Sequence, residues 1–171
     1  MSTCNRPEWR IPHVPANLEA ALEGRRTTSP FTVLLVEDDA NDAEFLKHAF
    51  RKIGFPDAVR VADSVNEATQ YLEGNGAARD RTTHPLPTLI LLDLKLPGKG
   101  GLPFLDWLRA RPETKFVPVV VLTSSTDRRD MIEAYERGAN SYTVKPVSLD
   151  EFVPMVQSIA YYWGTLNRIP E

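Results

Sequence analysis

The sequence predicts an α/β fold in which helices cover both faces of a doubly wound, five-stranded parallel sheet. Two observations support this prediction. Short apolar segments of strand length alternate with amphipathic segments of helical period, and several of the apolar segments have no polar face. Strands that are apolar on both faces belong in the middle of a parallel sheet, and right-handed crossovers then favour doubly wound topologies.

The five strand candidates are rich in apolar residues, and most contain several β-branched ones. They are FTVLLV (31–36), AVRVA (58–62), TLILLD (88–93), VPVVVLT (117–123) and SYTV (141–144). One amphipathic segment follows each strand, and we predict helices over 42–53, 65–72, 102–109, 128–137 and 149 to about 166.

With 171 residues, the chain suits one domain. We predict an N-terminal extension over 1–30, a core over 31–147, and a C-terminal helix and tail over 148–171.

The formal net charge of −3 provides no basic field for nucleic acid. Nowhere is there an apolar run of roughly 18 residues, and we expect neither a leader nor a membrane span. Cys4 is the only cysteine, which fits a reducing cytoplasm.

Polar residues follow several strands at the edge where doubly wound sheets carry their chemistry. They are Glu37, Asp38, Asp39, Asp93, Thr123, Ser124 and Lys145. Carboxylates brought close together repel one another unless a cation neutralises them, and Mg²⁺ is the first candidate because it prefers oxygen ligands.

A metal, a lysine and a hydroxyl together suit the stabilisation of charge on a transferred phosphoryl group. Attack by a carboxylate such as that of Asp93 would then form an acyl phosphate. Each residue alone also has a simpler explanation as a helix cap, a turn or a loop residue. Their joint occurrence at four strand ends favours phosphoryl chemistry.

Four motifs carry a family resemblance: LLVEDD (34–39), LILLDLKLPGKGG (89–101), VVVLTSS (119–125) and GANSYTVKP (138–146). From residue 31 to about 160 the chain resembles the receiver domain of two-component response regulators, which implies a flavodoxin-like (βα)5 fold. The family implies that Asp93 is the phosphoacceptor. It also implies that Mg²⁺ is bound by Glu37, Asp38, Asp93 and the backbone carbonyl of Lys95.

The same resemblance gives roles to three further residues. Thr123 is implied as the switch hydroxyl, Tyr142 as the switch aromatic residue, and Lys145 as the contact to the phosphoryl group. We expect Lys145 near the surface of the cleft. Asp39 is expected to cap the first helix.

The long connection GNGAARDRTTHPLP (74–87) and the aromatic C-terminal end resemble single-domain regulators that are paired with phytochrome histidine kinases. The implied partner is a sensor histidine kinase, with a histidine phosphotransfer protein as a second candidate. No effector sequence follows the receiver up to residue 171. We therefore expect output through partner binding or a phosphorelay.

One departure from the family concerns the third helix. Gly100 and Gly101 stand where the family often has Asp-Gly, and we therefore expect this helix to lack a side-chain cap. Ser148 and Glu151 predict a capping box for the last helix, which Pro154 is expected to bend.

The last helix carries two apolar stripes. The first is predicted to face the sheet and contains Leu149, Phe152, Val153, Val156, Ala160 and Trp163. The second contains Met155, Ile159, Tyr162, Leu166 and Ile169, and a monomer would leave much of it exposed. We favour a homodimer through Met155, Ile159, Tyr162 and Leu166. The alternative cover is the extension, with Trp9, Ile11 and Val14.

Three other functions remain as alternatives. An aspartyl-phosphate phosphohydrolase needs a second acid two residues after the nucleophile, where this chain has Lys95. A phosphorylation-independent binding module would lack a member of the acid, threonine and lysine set, whereas all are present. A flavodoxin relative needs a Ser/Thr-rich phosphate loop after the first strand, where Glu37, Asp38 and Asp39 would repel a phosphate.

Overall fold

The computed structural model describes residues 31–98 and 100–170. Strands and helices alternate along them. The strands are β1 (Val33–Val36), β2 (Val59–Ala62), β3 (Leu89–Leu92), β4 (Val119–Thr123) and β5 (Ser141–Val144). The helices are α1 (Ala40–Lys52), α2 (Val65–Glu73), α3 (Gly101–Arg109), α4 (Arg128–Glu136) and α5 (Leu149–Tyr161), with a 3₁₀ turn at Gly76–Arg79 and a π turn at Tyr162–Leu166.

The five strands form one parallel sheet in the order β2-β1-β3-β4-β5. The chain runs from β1 outward to β2 and then crosses back to β3, so the winding direction reverses between β1 and β3. This confirms the predicted doubly wound fold. The reversal places the carboxyl ends of β1 and β3 side by side, at the position where such sheets bind ligands.

Side chains alternate between the two faces of the sheet, as the pleat requires. Leu34 and Val36 of β1 pack with α2, α3 and α4, whereas Val33 and Leu35 pack with α1 and α5. Both faces are therefore covered, which explains why the central strands are apolar throughout. No helix within 31–98 or 100–170 is long and apolar enough to cross a membrane.

The helix termini follow the predictions in part. Asp39 caps α1 by accepting from the backbone N–H groups of Asn41 and Asp42, and α3 begins after Gly100 without a side-chain cap, both as expected. The capping box predicted at Ser148 is wrong, because the Ser148 side chain makes no capping hydrogen bond. The backbone N–H of Glu151 instead donates to the Ser148 carbonyl at 3.2 Å.

The C-terminal helix has the predicted extent but differs from the prediction in the type of its last turn and in burial. The α-helix ends at Tyr161 and continues as the π turn, and Ile159, predicted on the outer stripe, is only 9% exposed. The reason is that α5 packs against α1 as well as the sheet, which widens its buried arc. Tyr162 and Leu166 remain 50% and 42% exposed. The alternative cover by Trp9, Ile11 and Val14 lies outside the described residues.

Arg81 binds the long connection after α2 to the C-terminal end of that helix. Arg81, in the long connection after α2, donates to the carbonyl oxygens of Tyr71 at 3.0 Å and Leu72 at 2.7 Å. Both carbonyls lie in the last turn of the helix, where the regular i to i+4 hydrogen bonds run out. The connection is thereby bound to α2, and the Tyr71 hydroxyl adds a hydrogen bond to the Pro85 carbonyl at 2.7 Å.

Candidate functional site

Two carboxylates are delivered by neighbouring strands. Glu37 directly follows β1 and Asp93 directly follows β3, and their backbone N–H groups donate to carbonyls of adjacent strands, Ala62 and Val36. Each side chain therefore stands at a fixed point of the sheet edge. Glu37 is 2% and Asp93 5% exposed, so both carboxylates are buried.

Lys145 provides the positive charge of the site. Its ammonium lies 2.6 Å from Glu37 Oε2, 2.7 Å from Asp93 Oδ2 and 2.8 Å from Asp42 Oδ2. The backbone N–H of Lys145 donates to the Thr123 carbonyl at 2.9 Å, which fixes where the side chain starts. The expectation that Lys145 lies near the surface is wrong: its side chain is 7% exposed because three carboxylates draw it into the cleft.

The two buried acids have pKa values that move in opposite directions. Burial raises the pKa of Glu37 to about 7, although the hydrogen bond and charge of Lys145 oppose the rise. Burial acts in the same sense on Asp93, but hydrogen bonds from Lys145 and from the Lys95 N–H hold the pKa of Asp93 below its usual value. Asp93 is therefore ionised at neutral pH, as a nucleophilic carboxylate must be.

Burial also lowers the pKa of Lys145, but hydrogen bonds to Asp42, Asp93 and Glu37 outweigh it and raise the pKa. The side chain is therefore an ammonium across the physiological range. A buried ammonium beside ionised carboxylates makes short, strong hydrogen bonds.

Glu37, Asp38 and Asp93 form a possible metal site. One carboxylate oxygen from each lies within 4.8 Å of those of the other two. Asp38 is exposed, so a hydrated ion can enter from solvent. Glu37 Oε2 is buried and, apart from its ion pair with Lys145, has no hydrogen-bond partner. An all-oxygen set with such an acceptor fits a hard divalent cation.

Hydrogen bonds through Ser125 link the end of β4 to Tyr142 on β5 and to α4. Thr123 is fully buried, and its hydroxyl accepts from the Ser125 N–H at 3.3 Å. The Tyr142 hydroxyl donates to the Ser125 carbonyl at 3.0 Å, and Ser125 Oγ donates to Asp130 Oδ2 at 2.5 Å. The predicted switch residues, Thr123 and Tyr142, are thus linked through Ser125, which the sequence alone did not indicate.

Gly101 packs the start of α3 directly against the loop after Asp93. A Cβ at this position would lie 2.8 Å from the Leu94 Cα and would overlap the Asp93 carbonyl. The Gly101 N–H donates to the Leu94 carbonyl at 3.1 Å. The absence of a side chain at Gly101 therefore permits a close backbone contact beside Asp93.

Asp42 is the residue of this site that the sequence did not single out. It lies in the first turn of α1, where an acidic residue is usually explained by the favourable charge at a helix N-terminus. Asp42 contacts Lys145 only after β5 has paired with β4, because Lys145 follows β5. The signal in the sequence is its position five residues after Glu37, in the first turn of the helix that follows β1.

Comparison with known proteins identifies the family to which this fold and site belong. The response regulator receiver domain family matches residues 33–157. Response regulator Rcp1 of Synechocystis sp. is 34% identical, over 82% of this chain and 94% of its own. The probable methanogenesis regulatory protein FilR2 of Methanothrix harundinacea is 36% identical, over 82% of this chain and 88% of its own.

Solved structures agree with these sequence relatives. The phosphorylated cyanobacterial phytochrome response regulator RcpA superimposes with a TM-score of 0.76 at 30% identity, over 84% of this chain and 100% of that chain. The Mn²⁺-bound form of Rcp1 gives a TM-score of 0.73 at 32% identity, over 83% of this chain and 100% of that chain. The chain therefore belongs to the response regulator receiver domain family.

Proposed function

We propose that this protein accepts a phosphoryl group on Asp93 from a phosphohistidine of a sensor histidine kinase. The observation that carries the proposal is the buried, ionised Asp93 carboxylate with the Lys145 ammonium 2.7 Å from its Oδ2. An Asp93 oxygen forms the new P–O bond while the P–N bond of the donor breaks. The electron pair of the broken bond stays on the leaving imidazole, and Lys145 stabilises the negative charge on the phosphoryl oxygens.

Mg²⁺ is the proposed ion for the acidic cluster, held by Glu37, Asp38, Asp93 and the backbone carbonyl of Lys95. When bound, it neutralises charge on the phosphoryl oxygens. The Lys95 N–H already donates to Asp93 Oδ1 at 3.0 Å, which leaves Oδ2 on the side of Lys145. The Mn²⁺-bound form of the relative Rcp1 supports a divalent ion in this family.

The phosphoryl group adds about two negative charges and several acceptor oxygens. We propose that the Thr123 hydroxyl then turns toward it and releases the Ser125 N–H. The Tyr142 hydroxyl is bound to the same residue through the Ser125 carbonyl, so a shift of this loop changes where Tyr142 lies. Such a rearrangement converts a local charge into a changed surface.

For the partner, we propose a kinase of the phytochrome type, in the cytoplasm. The support is the likeness to RcpA, a phytochrome response regulator, and to Rcp1. A histidine phosphotransfer protein is the second candidate. Output then takes place through partner binding or phosphorelay. The phosphohydrolase alternative has no support at its required position, since Lys95 is exposed there and is not an acid.

The phosphorylation proposal is tested with Mg²⁺ and a small acyl phosphate, followed by intact mass. The wild type should gain one phosphate and Asp93→Asn none. Asp80→Asn, at an exposed turn remote from the cleft, should be labelled like the wild type. Labelling of Asp93→Asn equal to the wild type would refute the proposal. In Asp38→Ala, the dependence of labelling on Mg²⁺ should be abolished, because a proposed ligand is gone, and an unchanged Mg²⁺ titration would contradict the proposed metal site.

We further propose a homodimer through the outer surface of the C-terminal helix. Tyr162 and Leu166 are half-exposed apolar side chains beside the partly buried Met155, and Ile159 supports this surface from the core. Tyr162→Glu with Leu166→Glu should give a monomer by light scattering and leave phosphorylation of Asp93 intact. A wild type that is already monomeric at tens of micromolar, roughly where a weak interface should hold, would refute the dimer.

A further inference from the structure

Asp42 makes an ion pair to which the proposed phosphoryl chemistry assigns no role so far. It lies in the first turn of α1, and its Oδ2 is 2.8 Å from the Lys145 Nζ, across 103 residues of sequence. The Asp42 side chain is 31% exposed, and the group of carboxylates that could share a metal does not include it. Asp42 is therefore a partner of the lysine and not of the cation.

The ammonium of Lys145 has three N–H donors, and three carboxylates lie within reach of it. Two of these, Glu37 and Asp93, belong to the cluster that would bind a metal, and Asp93 also receives the phosphoryl group. During transfer, both carboxylates would also interact with the metal ion, and Asp93 with the phosphoryl group. Asp42 is the carboxylate that stays free for Lys145 throughout.

Lys145 needs such a partner because its side chain is long. A lysine loses considerable rotamer entropy when it is held in one orientation. It also begins a connection in which Val147 is 98% exposed, so the backbone after it has little packing to hold it in place. A restraint from α1, whose inner face is buried against the sheet, compensates for this.

We propose that Asp42 is a positioning residue that holds the Lys145 ammonium beside Asp93 while the phosphoryl group is transferred. This role rests on the proposed function. Asp42 acts through Lys145 and does not touch the reacting atoms. A role limited to the helix N-terminus is already filled by Asp39, which accepts from the backbone N–H groups of Asn41 and Asp42.

The test uses Asp42→Ala, Asp42→Asn and the control Glu44→Gln, which removes a charge from an exposed position of the same helix. With a small acyl phosphate at saturating Mg²⁺, Asp42→Ala should be phosphorylated about tenfold more slowly than the wild type. Asp42→Asn keeps an acceptor for the ammonium and should fall between them. Glu44→Gln should match the wild type, and the Mg²⁺ midpoint should move by less than about twofold in all variants.

A second readout does not depend on phosphorylation. In ¹⁵N spectra of the lysine side chains, the Lys145 ammonium protons should exchange with water faster in Asp42→Ala than in the wild type. Unchanged exchange, or an unchanged rate in both Asp42 variants, overturns the positioning role. A large loss of Mg²⁺ affinity overturns it as well, because Asp42 would then be a ligand. If the wild type accepts no phosphate, the proposed function fails, while the exchange comparison still decides whether Asp42 holds Lys145.

Discussion

The two edges of the sheet each hold a cationic side chain, but with different kinds of partner. Where the strands end, Lys145 is surrounded by ionised or ionisable carboxylates. Where β4 and β5 begin, the Arg109 guanidinium donates mainly to neutral oxygens. These are the carbonyls of Gly138 at 2.6 Å, Val117 at 3.0 Å and Lys115 at 3.2 Å, and the Asn140 side-chain amide at 3.0 Å.

We call the edge around Arg109 the fixed edge, because its hydrogen-bond partners do not change. We call the edge around Lys145 the exchangeable edge, because its partners can change. Backbone carbonyls cannot leave Arg109 without unfolding the loops that carry them, so that edge has one stable arrangement. The carboxylates around Lys145 can change partners when a cation or a phosphoryl group arrives. A protein that must respond to phosphorylation benefits from having both, because a rigid edge confines the rearrangement to the other.

The largest effect should come from removing the fixed cation. Arg109→Ala should lower the free energy of unfolding by about 3 kcal/mol, since it leaves several carbonyl groups without their donor. Urea unfolding measures this. Arg111→Ala, in the same region, removes a partly exposed guanidinium that stacks 3.7 Å from the Trp107 ring centroid, and should cost about 1 kcal/mol or less.

The comparison of the two edges would break if Arg109→Ala were no more destabilising than Arg111→Ala. It would also break if folded Arg109→Ala lost phosphorylation at Asp93 while keeping its stability. The neutral-oxygen edge would then take part in the chemistry, and the division between fixed and exchangeable edges would not hold.

The exchangeable edge should show a pH dependence that the fixed edge lacks. In metal-free protein, Glu37 binds a proton up to a pKa of about 7, against 4.5 in the unfolded chain. Between these values the folded state holds more protons, so its stability falls as pH rises. Glu37→Gln has no titrating group at this position, so it does not lose stability in this way as pH rises. Between pH 5 and pH 7 the wild type should therefore lose on the order of 2 kcal/mol relative to Glu37→Gln.

Thermal or urea unfolding in the presence of a chelator measures this difference at each pH. Asp93→Asn is the matched control, because the pKa of Asp93 is lowered and its contribution is lost as pH falls, which is the opposite sign. A stability difference between wild type and Glu37→Gln that does not change with pH would contradict the raised pKa.

The smallest effect concerns two helix starts at the exchangeable edge. Ser64 caps α2 by accepting from the Glu67 N–H, and Glu67 Oε2 accepts from the Asp63 N–H at 2.8 Å. Ser64→Ala should cost about 1 kcal/mol. Ser148→Ala should cost less than about 0.5 kcal/mol, because its hydroxyl makes no cap. Equal losses in urea unfolding would show that the Ser148 cap forms in solution.

The strands, their order and most of the site were predictable because they depend on local patterns. The central strands β1, β3 and β4 are buried over four or five consecutive apolar residues, and chemistry at the strand ends follows from the topology. The burial of Ile159 was not predictable in this way. It depends on how closely α5 packs against α1, which no pattern within α5 encodes.

The site was predictable to the same extent. Glu37, Asp93, Thr123 and Lys145 lie at strand ends and could be named from the sequence. Asp42 could not, because its contact with Lys145 requires the relative positions of α1 and the end of β5. The missing cap at Ser148 also depends on a competition between the hydroxyl and its own carbonyl for one N–H group, which residue types alone do not decide.

The close contact at Gly101 has a consequence for the mutational tolerance of the chain. A library that replaces every residue should show that no other amino acid survives at 101, because any β-carbon would push the helix away from the backbone carbonyl of Asp93. Gly76, with φ of +58° and open space around it, should accept Asn and Asp. Intolerance to substitution at position 101 would therefore reflect the lack of space for a side chain and not a chemical role of the residue.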